Sequence, residues 1–308
     1  MLLKSKDLIT SKLRQLEEIQ NLDYLSKEQR YKVETQIKIL KAGDKGEKDS
    51  AYFLNFKYKN SSNYILIHDL RIKYQGSVAQ IDHLLVNRFL DFYILETKSF
   101  AQGIKITDTG EFLKWDGKKY IGIESPIEQN RRHISLLKQL ILKECSLPKR
   151  LGLTIKPNFL SYILVSPQSR IIRPKSSKFN TDYVLKSDQF AQAVEERINN
   201  TGSIEAFASL TKVVSGETIK ELGEQILRFH HPKKVNYFKQ FNIPKEAPVV
   251  ANKVIKKPTT KKSKTKSKYF CASCKKDISQ KVATFCFQNK SRFQGRAYCF
   301  ECQKDFAK

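Results

Sequence analysis

The chain has 308 residues, 40% of them apolar and 11% aromatic, which is enough to build a buried core and excludes a disordered protein. Its 57 Lys and Arg against 31 Asp and Glu leave a net charge of +26, and the commonest use of such a charge is counterion release on a polyphosphate, so nucleic acid is the first partner to consider. The apolar stretches, such as residues 158–165, fall far short of the roughly 20 residues that span a bilayer, and the first residues do not read as a secretory signal; a cytoplasmic protein with no membrane partner is expected.

Residues 5–42 place Leu13, Leu16, Leu22, Val33, Ile37 and Leu40 at near-helical spacing, and Ser26 with Gln29 reads as a capping box. From Tyr64 to Ile123 the pattern changes to short Ile-, Val-, Tyr- and Phe-rich runs bounded by turn signals such as Gln75-Gly76 and Asp116-Gly117, which predicts a sheet. Trp115, just before the second turn, reads as a packing residue of that hairpin. Ser125-Pro126-Ile127-Glu128 combines an N-cap, a first-turn proline and a capping-box glutamate, and predicts a helix to about Glu144 with Ile127, Ile134, Leu137 and Ile141 on its apolar face. A second α/β stretch follows, with strands at 158–165 and near 182–185, a helix capped by Ser187, and helices to about Phe229. Residues 232–268 hold four prolines and a lysine run, and read as a basic linker. The expected organisation is a helical segment (1–43), an α/β domain (44–145), an α/β extension packed on it (146–231), the linker (232–268) and a cysteine module (269–308).

Residues 78–86 and 92–98 are separated by a plausible five-residue hairpin loop, Asn87–Asp91. Pairing Val86 with Phe92 puts Asp82 opposite Glu96 and Gln80 opposite Lys98. Two opposed carboxylates destabilise a sheet unless something neutralises them, and a divalent cation with oxygen ligands does so most simply. A solvated surface cluster of Asp82, Glu96 and Lys98 is the competing reading. The apolar residues Ile81, Leu84, Leu85, Ile94 and Leu95 make both strands look central, and so favour a half-buried pocket.

Gly46-Glu47, Gln80-Ile81-Asp82-His83, Glu96-Thr97-Lys98 and Pro126-Ile127-Glu128-Gln129-Asn130-Arg131-Arg132-His133, in that order, resemble the nuclease-related domain family, NERD, over about residues 44–145. That family is similar to the PD-(D/E)xK nucleases. The resemblance implies an α/β restriction-endonuclease-like core, a mixed central sheet flanked by helices, in which Asp82 and Glu96 bind Mg²⁺ (or Mn²⁺), Lys98 orients or deprotonates water, Glu47 contributes from a preceding helix and Gln129 matches a later helical motif. For Glu47 a second reading stays open, because Asp44 and Glu47 themselves have capping-box spacing ahead of a helix over 45–58. Arg131, Arg132 and His133 could meet phosphate at a helix N-terminus or form a solvated face, and His68 and His83 read as structural.

Five of the six cysteines fall within residues 271–302, and Cys271-Ala-Ser-Cys274 and Cys299-Phe-Glu-Cys302 frame 24 residues. Two such knuckles predict a four-thiolate Zn²⁺ site that supplies folding energy to a small module. Cys286 reads as packing. Phe285, Phe287, Phe293, Tyr298 and Phe300 alternate with Lys290, Arg292 and Arg296, a mixture suited to stacking on unpaired bases, and the stretch resembles the C-terminal zinc ribbons of bacterial topoisomerases. Residues 251–308 carry sixteen Lys and Arg against three acids. The function expected is a metal-dependent nuclease, a hydrolase of phosphodiester bonds, with DNA favoured by resemblance and the C-terminal module holding the strand. A non-catalytic DNA-binding protein on a nuclease-like scaffold is the alternative, and a zinc-dependent protein adaptor is a third.

Overall fold

The computed structural model describes residues 1–100, 102–175, 179–200, 213–244 and 269–306. It divides into two units, Met1–Ala247 and Pro248–Lys308, which are taken in turn.

In the first unit a short strand, β1 (Leu2–Lys4), precedes helices α1 (Thr10–Gln20) and α2 (Lys27–Tyr58). The reciprocal Ser26–Gln29 capping box is formed as expected and starts α2. Asp44 starts nothing: α2 runs unbroken through residues 44–47, so Glu47 is a mid-helix residue and not the partner of a cap. Strands β2 (Tyr64–Tyr74), β3 (Ser77–Asn87) and β4 (Asp91–Lys98) form an antiparallel meander. The β2–β3 turn uses Gln75 and Gly76, with φ of 47° and 78°, the left-handed pair that a two-residue hairpin requires. In the β3–β4 loop, Asn87 Oδ1 accepts the N–H groups of Phe89 and Asp91, which fixes the expected pairing of Val86 with Phe92.

After β4 the chain forms β5 (Ile104–Ile106), β6 (Phe112–Trp115) and β7 (Tyr120–Ile123), then α3 (Pro126–Glu144), a two-stranded β8 (Lys149–Arg150) and β9 (Leu153–Thr154), and β10 (Asn158–Val165). Strand β10 lies parallel to β4 along its whole length. Strand β11 (Ile171–Ile172) joins the small sheet β11-β5-β6-β7, and β12 (Val184–Lys186) completes the central sheet, whose order is β1-β2-β3-β4-β10-β12. Helices α4 (Phe190–Asn199), α5 (Gly216–Leu227) and α6 (Tyr237–Gln240) follow. Ser187 does not cap α4; its hydroxyl is buried on the Val165 carbonyl of β10. Residues 232–244, expected to begin the linker, instead pack: Tyr237, Phe238 and Ile243 are buried against Leu16, Ile19 and Val33 of α1 and α2. The rest of the expected linker, 245–268, lies outside the described residues.

The central sheet is covered on both faces. Phe92 and Ile94 of β4 pack in one core with Leu137, Leu140 and Ile141 of α3, while Tyr93 and Leu95 pack in another with Leu54 and Tyr58 of α2. This is the mixed sheet flanked by helices that the family resemblance implied. One irregularity interrupts it. Ala79 and Ile81 share a core with Leu84 and Val86, and Ile65 and Ile67 share it with Leu70 and Ile72. The two-residue alternation therefore slips by one on both strands, at Asp69, whose φ is 51°, and at Asp82-His83 across from it.

Gly46 has a packing reason. A Cβ there would lie 2.4 Å from Ser99 Cβ, so only glycine lets α2 lie against the end of β4. Gly43, one turn earlier, has nothing within 4 Å. Gly43→Ala should stabilise the fold by about 1 kcal/mol through helix propensity, and Gly46→Ala should destabilise it by about 1–3 kcal/mol through overpacking. Urea midpoints of the two variants test this, and equal gains would mean that α2 is free to move off the strand end.

Candidate active site

The β3–β4 ladder ends at His83 opposite Leu95. Its register, continued, would set Asp82 against Glu96, but the strands part there. The Asp82 carboxylate takes over the role of a ladder carbonyl: its Oδ2 accepts the Thr97 backbone N–H at 2.8 Å. Behind it runs a buried chain in which Thr97 Oγ1 lies 3.2 Å from His83 Nε2, His83 Nδ1 lies 2.7 Å from His68 Nδ1, and His68 Nε2 lies 3.1 Å from Asn55 Oδ1 on α2. Burial lowers the pKa of both histidines, His68 to about 4, so both rings are neutral. With Asn55 Oδ1 accepting from His68 Nε2–H, the protons have one consistent arrangement: His83 Nδ1–H donates to His68, and the Thr97 hydroxyl donates to His83. The pair is structural, as expected, and its task is to fix Thr97 and through it Asp82.

Glu96 is 3% exposed. Lys98 Nζ donates to Glu96 Oε1 at 2.6 Å and to Gln129 Oε1 at 3.0 Å, which ties β4 to the first turn of α3. Glu96 Oε2 is buried with no hydrogen-bond partner, as is His133 Nδ1, which stands 3.8 Å away, too far for a hydrogen bond. Glu47 arrives from the opposite face of the sheet, on α2. Lys6 Nζ lies 3.0 Å from its carboxylate and 2.8 Å from that of Asp44. Burial raises the pKa of Asp82 well above the usual carboxylate range, and the neighbouring Glu96 and Glu47 charges add to the shift. Glu96 is raised by burial, against the opposing pull of Lys98, and Glu47 is raised by burial against that of Lys6. Asp82, Glu96, Lys98, Glu47 and Gln129 thus form one cluster, drawn from two strands and from helices on both faces.

Other residues of the expected motifs serve differently. Arg131 pairs with Glu128 and Arg132 with Glu124, both on the exposed surface, so Glu128 does not reach back to close a capping box on Ser125. Gln80 donates to Asp69 Oδ1 and does not oppose Lys98. Lys6, Asn130 and Thr97 were not singled out by sequence. Asn130, fully buried, donates through Nδ2 to the carbonyls of Ile94 and Tyr162 at 3.0 and 3.2 Å, and so locks α3 onto β4 and β10. Its position after Gln129 was visible, but its carbonyl partners lie 32 and 36 residues away in the chain.

In the second unit, β13 (Tyr269–Phe270) and β14 (Asp277–Ile278) form a hairpin around the first knuckle, and the second knuckle opens a one-turn helix. The stretch between them is helical, α7 (Gln280–Gln288) and α8 (Lys290–Phe293), and α9 (Phe300–Gln303) carries Cys302. The ligand atoms of Cys271, Cys274, Cys299 and Cys302 all lie within 4.8 Å of one another, with Cys274 Sγ 3.6 Å from Cys299 Sγ. Tetrahedral Zn–S bonds of about 2.3 Å place sulfurs about 3.8 Å apart, so the quartet fits zinc. Cys271 is brought down to about 6, burial opposing the shift and the backbone N–H groups of Cys274, Cys299 and Ser273 outweighing it. Cys286 is buried, with the Tyr298 N–H and Gln303 Nε2 directed at its sulfur, and packs as expected. Among the described residues no set of three carboxylates is gathered as tightly as the thiols.

The raised carboxylates give a signed prediction. Between about pH 4 and the raised native pKa the folded state holds a proton that the unfolded chain has released, so the contribution of Asp82 to stability falls as pH rises. Asp82→Asn keeps an acceptor for Thr97 and removes the charge. Without metal it should unfold later than the parent by about 1 kcal/mol near pH 8, with the gap narrowing near pH 5. Thermal melts with and without Mg²⁺ check this, and a large metal-free loss of stability would make the charge on the Thr97 bond a structural necessity.

No helix among the described residues is long and apolar enough to cross a membrane. No curated protein and no solved structure matches the chain. The family model of the nuclease-related domain, NERD, matches residues 42–166, from the middle of α2 to just past the end of β10. That span takes in Glu47, Asp82, Glu96, Lys98 and Gln129 together with the elements that bring them into one cluster, and the chain therefore carries a nuclease-related domain, joined to a C-terminal module whose four cysteines can form a zinc site.

Proposed function

We propose that this protein is a divalent-metal-dependent nuclease that hydrolyses phosphodiester bonds, in DNA by preference, and that its C-terminal zinc module and the lysine-rich segment before it hold the strand. The observation that carries the reading is the approach of Asp82 and Glu47 to Glu96, which Lys98 bonds through one oxygen only, leaving the buried Oε2 of Glu96 without a partner. Buried carboxylates whose neighbours' charges raise the pKa of Asp82 and Glu96 form a site for a cation, and Asp82 and Glu96 are its proposed ligands, with Glu47 behind them. Mg²⁺ or Mn²⁺, when bound there, supplies charge to a phosphoryl oxygen and lowers the pKa of water. Lys98, anchored by Glu96 and Gln129, holds an attacking water or faces developing charge, and Gln129 keeps its ammonium in place. Asp82 is held for this work by Thr97 and the histidine pair.

For the second unit, the exposed rings of Phe270, Phe285, Phe287 and Phe300 support stacking on unpaired bases, while Phe293 and Tyr298 fill the core.

Purified protein incubated with single- and double-stranded DNA and RNA in Mg²⁺, Mn²⁺ or EDTA should cleave only with metal. Lys98→Ala should lose at least about a hundredfold in rate while keeping strand affinity within a few-fold. Equal rates in variant and parent would remove Lys98 from the mechanism, and strand binding without metal-dependent cleavage would favour the non-catalytic scaffold.

Truncation after Ala247 should leave cleavage at saturating substrate intact, weaken binding, and flatten the slope of log K against log salt by roughly three for four lost single-strand phosphate contacts. Cys299→Ser with Cys302→Ser should unfold the module and abolish any preference for unpaired bases, yet keep much of the salt slope. An unchanged slope on truncation would turn the C-terminal unit into a protein adaptor.

A further inference from the structure

A cavity of about 570 Å³ in the first unit is lined by residues from three distant parts of the chain. Gln80 lines it from β3, and Arg71, its cross-strand partner, lines it from β2. Lys12 enters from α1, and Lys233 and Lys234 from the segment after α5. Gln80 and Asp82 are two residues apart on one strand, so the cavity begins about 7 Å from the Asp82 site.

The charge around this space is unbalanced. Lys12, Lys233 and Lys234 have no hydrogen bond or ion pair among the described residues. Arg71 donates from Nη1 to the His231 carbonyl, a neutral acceptor that leaves its charge in place. Of the two acids of the lining, Asp7 pairs with Lys4 at 2.8 Å, while Asp69 accepts from the neutral amide of Gln80 at 3.0 Å and keeps its charge. Four cations therefore face one cavity with one unpaired acid among them. Helix α1 begins at the same place with no side-chain cap and no acid in its first turn, where Ser11 and Lys12 line the space, so free backbone N–H groups add to the positive field. Leu8 and Val235 give the same lining an apolar part, suited to a sugar or base edge and not to a bare inorganic ion.

We infer that this cavity is a nucleotide subsite, which holds a backbone phosphate of the strand next to the bond presented to Asp82 and Glu96. The inference rests on the nuclease reading for its purpose, and on the cavity itself for its chemistry. Lys12, Lys233 and Lys234 bind the phosphate oxygens, Arg71 and the first turn of α1 back them, and Gln80 divides the subsite from the carboxylates. Keeping the lysines on one side and the carboxylates on the other lets a polyanion approach a negatively charged site without first meeting its repulsion.

The test is Lys12→Gln with Lys233→Gln and Lys234→Gln in the full chain. Because these side chains carry no internal bond, the fold is expected to be unaffected. The control is a triple of equal charge at exposed lysines outside the proposed strand-binding parts, Lys38→Gln, Lys138→Gln and Lys143→Gln. The probes are a short fluorescein-labelled single-stranded DNA and the matching RNA, with Kd read by anisotropy over a range of salt and with KM and kcat read by cleavage. The cavity triple should raise KM by about tenfold or more with kcat unchanged, and flatten the salt slope by about two. The control should raise KM by less than about threefold. A cavity triple that matches the control in KM and Kd overturns the subsite and leaves the nuclease reading standing. Loss of affinity beyond the control, in a protein that cleaves nothing with any metal, keeps the subsite and overturns the nuclease reading. A stronger effect on RNA than on DNA, or the reverse, identifies the sugar that the subsite accepts.

Discussion

The hydrogen bond from the Thr97 N–H to the Asp82 carboxylate is where this domain stops being an ordinary sheet. Up to His83 and Leu95 the two strands exchange backbone bonds; one residue later a side-chain carboxylate has replaced a carbonyl and the strands separate. A carboxylate in that position brings a full negative charge into a half-buried setting, where desolvation penalises it and neighbouring charge governs its pKa. The slip in side-chain alternation at Asp69 and Asp82-His83 belongs to the same break, since a regular ladder would have carried its alternation straight through.

What surrounds that break is built to hold it. The histidine pair and Asn55 support Thr97 from the α2 side, and Asn130 and the Lys98–Gln129 bond fasten α3 from the other. Gly46 lets α2 approach closely enough for Glu47 to take part. The outcome is a cluster of three buried acids in which Lys98 answers Glu96 and Lys6 answers Glu47, while Asp82 has no ion pair among the described residues. Such a cluster is costly in the metal-free protein, and burial makes it more so. Its natural counterpart is a cation, and that consideration underlies the proposal of metal-dependent hydrolysis.

The second unit solves a different physical problem. Its core of Cys286, Phe293, Tyr298, Ile278 and a few small residues is slight, and four thiols gathered closely enough to form a zinc site offer it a second source of folding energy. The connection between the knuckles is largely helical, and it buries Phe293 while leaving Phe285 and Phe287 exposed.

Local rules were sufficient for several features. The Ser26 capping box, the Gln75-Gly76 turn, the Asn87–Asp91 loop with its register, the apolar face of α3 and the two cysteine knuckles are each set by residues a few positions apart, and each could be read directly. The ordered motifs around Glu47, Asp82, Glu96 and Gln129 could also be read, because short spacings carry them. Tertiary structure decided the rest. Whether Asp44 begins a helix depended on α2 continuing through it, and whether residues 232–244 are linker depended on a groove between α1 and α2 that accepts Tyr237 and Phe238. The pairing of His68 with His83, the reach of Lys6 to Glu47 and the gathering of Lys12, Lys233 and Lys234 about one cavity join residues from 15 to more than 200 positions apart. No periodicity or spacing encodes such contacts, because they exist only once the sheet has brought distant segments to the same edge.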